Sequence, residues 1–300
     1  MTTVQLEGVD PAVVERFALD RLPLDRPGRS TDELMNLRGR RAVVTGGGGD
    51  GLGAATCLRL AGQGADVAVM DISEEQAQLT VDAIQARFDV RCMPLIADVG
   101  EVDQVRAAAN RVASEWGGID ILVNNAGGSG SIGAHGEKVN QSGDFMAMSD
   151  EDLLLVVRVN LLGVMLVSRA VLPHMLAARS GRIINVSSEG GKTSVDGIVV
   201  YNSCKSGVIG FTRNLARDVG KHGVTVAGVC PGIMVSERTI RNMTHPNAPS
   251  LASLEDSFQR VTIRRCSVPD EVASVIAFLA SDAGGYVHGT SVSVGGGLAD

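Results

Sequence analysis

No block or stripe of basic residues interrupts the acidic balance of this 300-residue chain, in which 27 Lys and Arg face 34 Asp and Glu for a net charge of −7. That lack argues against nucleic acid as a main partner, because phosphate backbones are met by clustered Lys and Arg. No signal peptide is expected either. The first residues, MTTVQLEGVDPAVVERFALD, carry acids where a secretory leader needs a basic start and an apolar run. The most apolar long stretch, Leu153 to Leu172, is broken by Arg158, Asn160 and Arg169, whereas a spanning helix needs ~20 mostly apolar residues. No membrane partner is expected. The five cysteines are odd in number and form no CxxC pair, which argues against a disulfide framework and a zinc site. The expectation is a reduced, cytoplasmic protein with no metal.

Apolar material is ample at 44% of residues, and many of the 37 glycines crowd into 46–53, 127–143 and 284–297. From residue 41 onward short apolar runs alternate with amphipathic stretches. Strands are expected at 41–45, 66–70, 91–96, 119–123, 182–186, 224–229 and 291–294. Helices are expected at 52–62, 73–87, 102–116, 149–178, 200–221 and 270–281. Strands this apolar, separated by helices, predict a single-domain α/β fold: a Rossmann-like, doubly wound parallel sheet with helices on both faces. Ligands of such sheets bind beyond the carboxyl ends of the strands. Residues 1–38 form an N-terminal extension with one short helix around Pro11 to Ala18, ahead of a nucleotide-binding domain over 39–300. A long Gly/Ser-rich loop follows the fourth strand at 128–148, and no internal repeat is present.

Chemistry concentrates after the strands. The first strand runs into Gly46-Gly-Gly-Gly-Gly-Asp50-Gly51-Leu52-Gly53 and then a helix, the arrangement in which glycines let backbone amides approach a pyrophosphate at a helix N-terminus. Asp71 ends the second strand 18 residues beyond Gly53, near the ~20-residue spacing of the acid that binds adenosine-ribose hydroxyls. A carboxylate there repels a 2′-phosphate, and Ile72 and Ser73 follow it where an arginine would serve NADP. NAD is the expected cofactor. Tyr201 and Lys205 stand at i and i+4, on one face of a predicted helix. A phenol titrates near ~10, and a fixed cation beside it stabilises the phenolate. Ser188, directly after the fifth strand, adds a hydroxyl able to polarise a carbonyl.

Together these motifs resemble the short-chain dehydrogenase/reductase family over residues 40 to 298. They occur in the family's order: the glycine turn, Ala97-Asp98-Val99, Asn124-Asn125-Ala126-Gly127, Asn160, Ser187-Ser188, Tyr201…Lys205, Pro231-Gly232 and Phe278-Leu279-Ala280-Ser281-Asp282. The resemblance implies hydride transfer between NAD and a secondary alcohol or ketone, with Asn160, Ser188, Tyr201 and Lys205 as the catalytic set. Tyr201 is implied as acid/base, Lys205 as the ribose ligand that depresses its pKa, and Asn160 as the holder of a relay water. Ser188 is implied to polarise the substrate oxygen, with Ser187 as the alternative. Cofactor contacts are implied for Gly46, Gly51, Leu52, Gly53, Asp71, Asp98, Val99, Asn125, Ala126, Gly127, Tyr201, Lys205, Pro231, Gly232 and Ser236. Asp98 would meet the adenine edge and Asn124 would stabilise the sheet beside the cofactor.

Three departures stand out. The glycine turn holds one residue more than the family's TGxxxGxG, with Asp50 expected to point outward. Loop 128–148 is long, and Gly295 replaces a common aspartate. A substrate lid is implied at about 234–265; its apolar residues suit a hydrophobic alcohol, and its arginines suit an acyl-CoA or a solvated face. Two other readings stay open: a hydroxyacyl-CoA dehydrogenase or ketoacyl reductase, and a non-catalytic NAD-binding sensor or assembly protein. The resemblance also implies a homotetramer.

Overall fold

In the computed structural model, residues 9–17, 19, 28–128, 145–193, 197–236 and 258–298 are described. Two short helices, α1 (Pro11–Phe17) and α2 (Thr31–Met35), precede β1 (Arg41–Thr45), α3 (Leu52–Gly62), β2 (Asp66–Asp71), α4 (Glu74–Gln85) and β3 (Cys92–Ile96). Next come α5 (Val102–Trp116), β4 (Ile121–Asn124), α6 (Asp150–Val157), α7 (Gly163–Ala178) and β5 (Gly181–Val186). The chain ends with α8 (Val199–Val219), β6 (Val224–Pro231), α9 (Pro269–Ala280) and β7 (Ser291–Val294).

All seven strands pair in parallel, in the order β3-β2-β1-β4-β5-β6-β7. Side chains alternate across the pleat and feed two cores. Ala42, Val44, Val67, Val69, Ile184 and Val186 pack under α3, α4 and α9. Val43, Ala68, Met70, Leu122 and Ile183 pack under α5, α7 and α8. Burial on both faces is why these strands read as continuous apolar runs. The order of connection reverses between β1 and β4, so a crevice opens at their carboxyl ends, where doubly wound sheets bind ligands.

The expected single helix 149–178 is in fact two helices joined by a π-helical turn, Arg158–Leu162. Asn160 explains the break locally. Its side-chain Nδ2 donates to the Val156 carbonyl at 3.1 Å, the acceptor that its own main-chain N–H would use in an α-helix. The run Asp150–Ala178 is long and apolar enough to cross a membrane by composition, with 44% of its most apolar window buried inside the protein. The N-terminal extension has a second helix that the periodicity missed: Ser30 and Glu33 form a capping box around α2. Leu37 is buried and its amide donates to the Gln63 carbonyl at the end of α3, while the Leu34 carbonyl accepts from the Ala283 amide, which ties residues 34–37 to the rest of the fold.

A polar seam crosses the core below the crevice. Asn124 Nδ2 donates to Asn185 Oδ1 at 2.8 Å and to Ser168 Oγ at 2.9 Å. Asn185 Nδ2 donates to Thr212 Oγ1 at 2.9 Å, so one chain of bonds ties α7 through β4 and β5 to α8. Buried networks of this kind are expensive to leave half-satisfied. Replacing Asn124 with Ala is expected to destabilise the fold by ~2–4 kcal/mol, read as a lower urea midpoint at unchanged m-value. A midpoint shift worth under ~0.5 kcal/mol, the range of neutral surface changes, would contradict this.

Candidate active site

The crevice floor is the glycine turn between β1 and α3. Gly46 lies at φ +58°, and a Cβ on Gly53 would sit 1.9 Å from the Gly46 carbonyl oxygen and 2.6 Å from Asn125 Nδ2. Only glycine fits there. Gly51 caps α3 with no side-chain hydrogen bond, so the first amides of that helix are presented to an anion, not to a capping side chain. This cradle fits a pyrophosphate. Asn125 braces it, donating from Nδ2 to the Thr45 and Gly46 carbonyls at 3.0 Å each. Thr45, the threonine that opens the glycine turn, accepts on Oγ1 from the amides of Asn125 and Ala126. Its signal in the sequence is its place as the first residue of the TGxxxGxG pattern.

Asp71 ends β2 half-buried, with Oδ2 accepting from the Gly48 amide at 2.9 Å and Oδ1 from the Ser73 amide at 3.0 Å. Asp98 is buried beyond β3. Its Oδ1 accepts from the Gly100 amide and its Oδ2 pairs with Arg158 Nη2 at 3.1 Å. Arg158 also reaches Glu101, and it crosses so close to Gly100 that a Cβ there would meet its side chain at 2.8 Å. Val99 packs on Gly163. The loop after β3 is thus fastened to the π-turn, a contact that no local pattern around Arg158 foretold.

The π-turn delivers Asn160 to the crevice. Its Oδ1 accepts from the Gly128 amide at 2.9 Å and its Nδ2 donates to the Gly128 carbonyl at 3.2 Å. Gly127, at φ +140°, faces both Asn160 and Lys205: a Cβ there would lie 2.5 Å from Asn160 Oδ1 and 3.5 Å from Lys205 Nζ.

Ser188, Tyr201 and Lys205 complete the constellation. Ser187 is buried and donates to the Lys205 carbonyl at 2.7 Å, which ties its hydroxyl to the backbone of α8. The Ser188 hydroxyl instead bonds the Tyr201 phenol and accepts from the Gly190 amide. Burial raises the Tyr201 pKa above its ordinary value, and the Ser188 hydrogen bond pulls it partly back. The sequence reading assigned that lowering to Lys205. In the structure the ammonium stands 5.5 Å from the tyrosine ring centroid and donates to the Val186 carbonyl at 3.0 Å. Burial brings Lys205 down to about 8. Cys204, between them, is a buried thiol raised by desolvation, which fits packing better than reactivity.

On the β6 side, Pro231 ends the strand and the Gly232 amide donates to the Val294 carbonyl. Ser236 is buried at the start of the implied lid. Most of that lid and of loop 128–148 lies outside the described residues. Gly295 has a packing reason: a Cβ there would press within 2.7 Å of the buried Glu189 side chain. Asp50 is half-buried. Changing Gly53 to Ala is expected to weaken NADH binding by at least ~10-fold, since its Cβ displaces the Gly46 peptide that shapes the cradle. Titration by reduced-nicotinamide fluorescence measures this, and unchanged affinity would refute the cradle.

Comparison with known proteins agrees with this geometry. The short chain dehydrogenase profile matches residues 40–246. A 3-oxoacyl-[acyl-carrier-protein] reductase of Thermotoga maritima is 34% identical over 267 residues, covering 88% of this chain and 99% of its own. The 7α-hydroxysteroid dehydrogenase solved with NADH and 7-oxo glycochenodeoxycholic acid superposes at TM-score 0.78 with 28% identity, covering 90% and 98%. A short chain dehydrogenase of Burkholderia cenocepacia solved with NADP superposes at 0.74 with 33% identity, covering 88% and 99%. Fold, motif order and relatives converge: this chain belongs to the short-chain dehydrogenase/reductase family of oxidoreductases.

Proposed function

We propose that the protein is an NAD-dependent dehydrogenase that interconverts a secondary alcohol and its ketone, with Tyr201 moving the proton. The observation that carries this reading is the joining of Ser188, Tyr201, Lys205 and Asn160 at the mouth of the glycine cradle. NAD supplies and accepts the hydride at its nicotinamide ring. Gly46, Gly51, Leu52 and Gly53 would hold its pyrophosphate, and Asp71 its adenosine ribose. Asp98, Val99, Asn125, Ala126 and Gly127 would line the adenine and ribose side, with Pro231, Gly232 and Ser236 beside the nicotinamide.

The protein's own residues then divide the work. Ser188 orients the substrate oxygen toward the phenol with which it already shares a hydrogen bond. In ketone reduction the Tyr201 hydroxyl gives its proton to that oxygen as the carbinol forms. In alcohol oxidation the phenolate takes it back. Lys205, once it meets the nicotinamide ribose, stabilises the phenolate by charge. Asn160, fixed on Gly128, holds the polar end of the relay. The relative named as a 3-oxoacyl-[acyl-carrier-protein] reductase supports a ketoacyl substrate as a second reading, decided by comparing a free cyclic ketone with a β-ketoacyl thioester. A cytoplasmic homotetramer is the assembly we expect.

Two outcomes test the proton transfer. Tyr201→Phe is expected to lower kcat at least ~10²-fold, the usual contribution of a positioned acid or base, with thermal stability nearly unchanged; near-normal turnover would end the assignment. The pH dependence has a definite sign. Reduction needs the Tyr201 proton, held by a phenol whose pKa is raised, and the Lys205 charge, lost through about 8. The kcat/KM for ketone reduction should therefore be level below pH 8 and fall above it, since loss of either proton removes the acid or its supporting charge. A profile that rises from pH 7 to 9 would oppose it.

A further inference from the structure

The glycine turn exceeds the family pattern by one residue. Its residues 48 and 49 arch onto the first turn of α4. The Gly49 amide donates to the Gln76 carbonyl at 3.2 Å. A Cβ on Gly48 would lie 2.7 Å from the Gln76 carbonyl carbon and 2.9 Å from the Ala77 nitrogen, so main chain touches main chain with no space between. The same arch reaches Asp71, through the Gly48 amide on Oδ2.

This packing bears on the choice between the two nicotinamide dinucleotides. Each Asp71 oxygen accepts one amide and keeps lone pairs for ribose hydroxyls. A 2′-phosphate is larger and doubly charged. It needs room beyond the ribose and cations around it, and an acid at the end of β2 marks where that room would be. Here the segments meeting at that point, 46–53 and 71–79, contain Asp50, Asp71, Glu74 and Glu75 but no Lys or Arg. The arch locked onto Gln76 borders that same point through its bond to Asp71.

We infer that the Gly48–Gly49 arch is a second cofactor-selecting device, closing by shape the volume that a 2′-phosphate requires, independently of the charge of Asp71. The inference rests on the NAD reading above and extends it. Charge and shape then act in series: removing the carboxylate weakens the fit to NAD without opening the site to NADP.

Binding of NADH and NADPH to the intact protein, followed by reduced-nicotinamide fluorescence, separates the two effects without a known substrate. Wild type is expected to prefer NADH by at least ~10-fold. Asp71→Ala is expected to lose ~10-fold in NADH affinity, as a half-buried hydrogen-bonding partner is removed, with NADPH affinity changed by less than ~3-fold. Deleting Gly48 in the Asp71→Ala background should raise NADPH affinity ~10-fold or more over Asp71→Ala alone, because the arch no longer fills the site. Should the deletion fail to fold, Gly48→Ala in the same background forces the arch off Gln76 and carries the same expectation. If Asp71→Ala alone binds NADPH as tightly as wild type binds NADH, or if lifting the arch gains nothing, the arch is not a selector and the NAD reading stands. If wild type binds both cofactors equally, the NAD reading falls and takes the arch with it.

Discussion

A buried ammonium organises this site. Lys205 lies in the core side of α8, 3% exposed, and a charge so placed is costly unless its surroundings are built around it. The surroundings are specific. The Val186 carbonyl at the end of β5 accepts from Nζ, Ser187 fixes the Lys205 carbonyl, and Gly191 abuts the same stretch of backbone. Gly127 and Asn160 close the space in front of the ammonium. The loops after β4 and β5, the π-turn and α8 are therefore positioned by a shared requirement: to hold one cation beside one phenol. Desolvation has already brought the lysine to about 8. A cation this poorly solvated gains strongly from any polar group that reaches it, which suits a ribose-binding role.

Asn160 plays the matching part on the other wall. Its side chain occupies the Val156 carbonyl and both polar groups of Gly128. The helix widens into a π-turn as a result, and π-turns recur at functional positions because the extra residue re-aims a side chain. Arg158, two residues earlier, pairs with the buried Asp98, so one turn of helix connects the loop after β3 to the loop after β4. Asp98 acts here as the anchor of that connection.

Much of this was legible in the sequence. Apolar runs bounded by glycines marked the strands, because a sheet buried on both faces leaves no polar alternation to blur them. The glycine turn, Asp71 and the Tyr201…Lys205 pair were visible because their chemistry depends on short local spacings. What escaped depends on contacts made at long range. The Asp98–Arg158 pair joins residues 60 positions apart, and the support of Thr45 comes from amides 80 and 81 positions away. The π-turn needed knowledge of where the Asn160 side chain bonds, and helical periodicity carries none. The relation between Tyr201 and Lys205 was read from i,i+4 spacing as a direct electrostatic pair. The fold instead directs the ammonium to a carbonyl and the Ser188 hydroxyl to the phenol.

The central claim is that Lys205 acts on Tyr201 once NAD joins them. The chain has two tyrosines, and Tyr286 is fully exposed, so a Tyr286→Phe protein leaves one phenol to follow by ultraviolet difference titration. The account predicts that this phenol titrates above ~10 in the free protein, moves down when NAD is added, and stays high with NAD when Lys205 is replaced by Met. A phenol that does not respond to NAD, or that responds equally without Lys205, would contradict it.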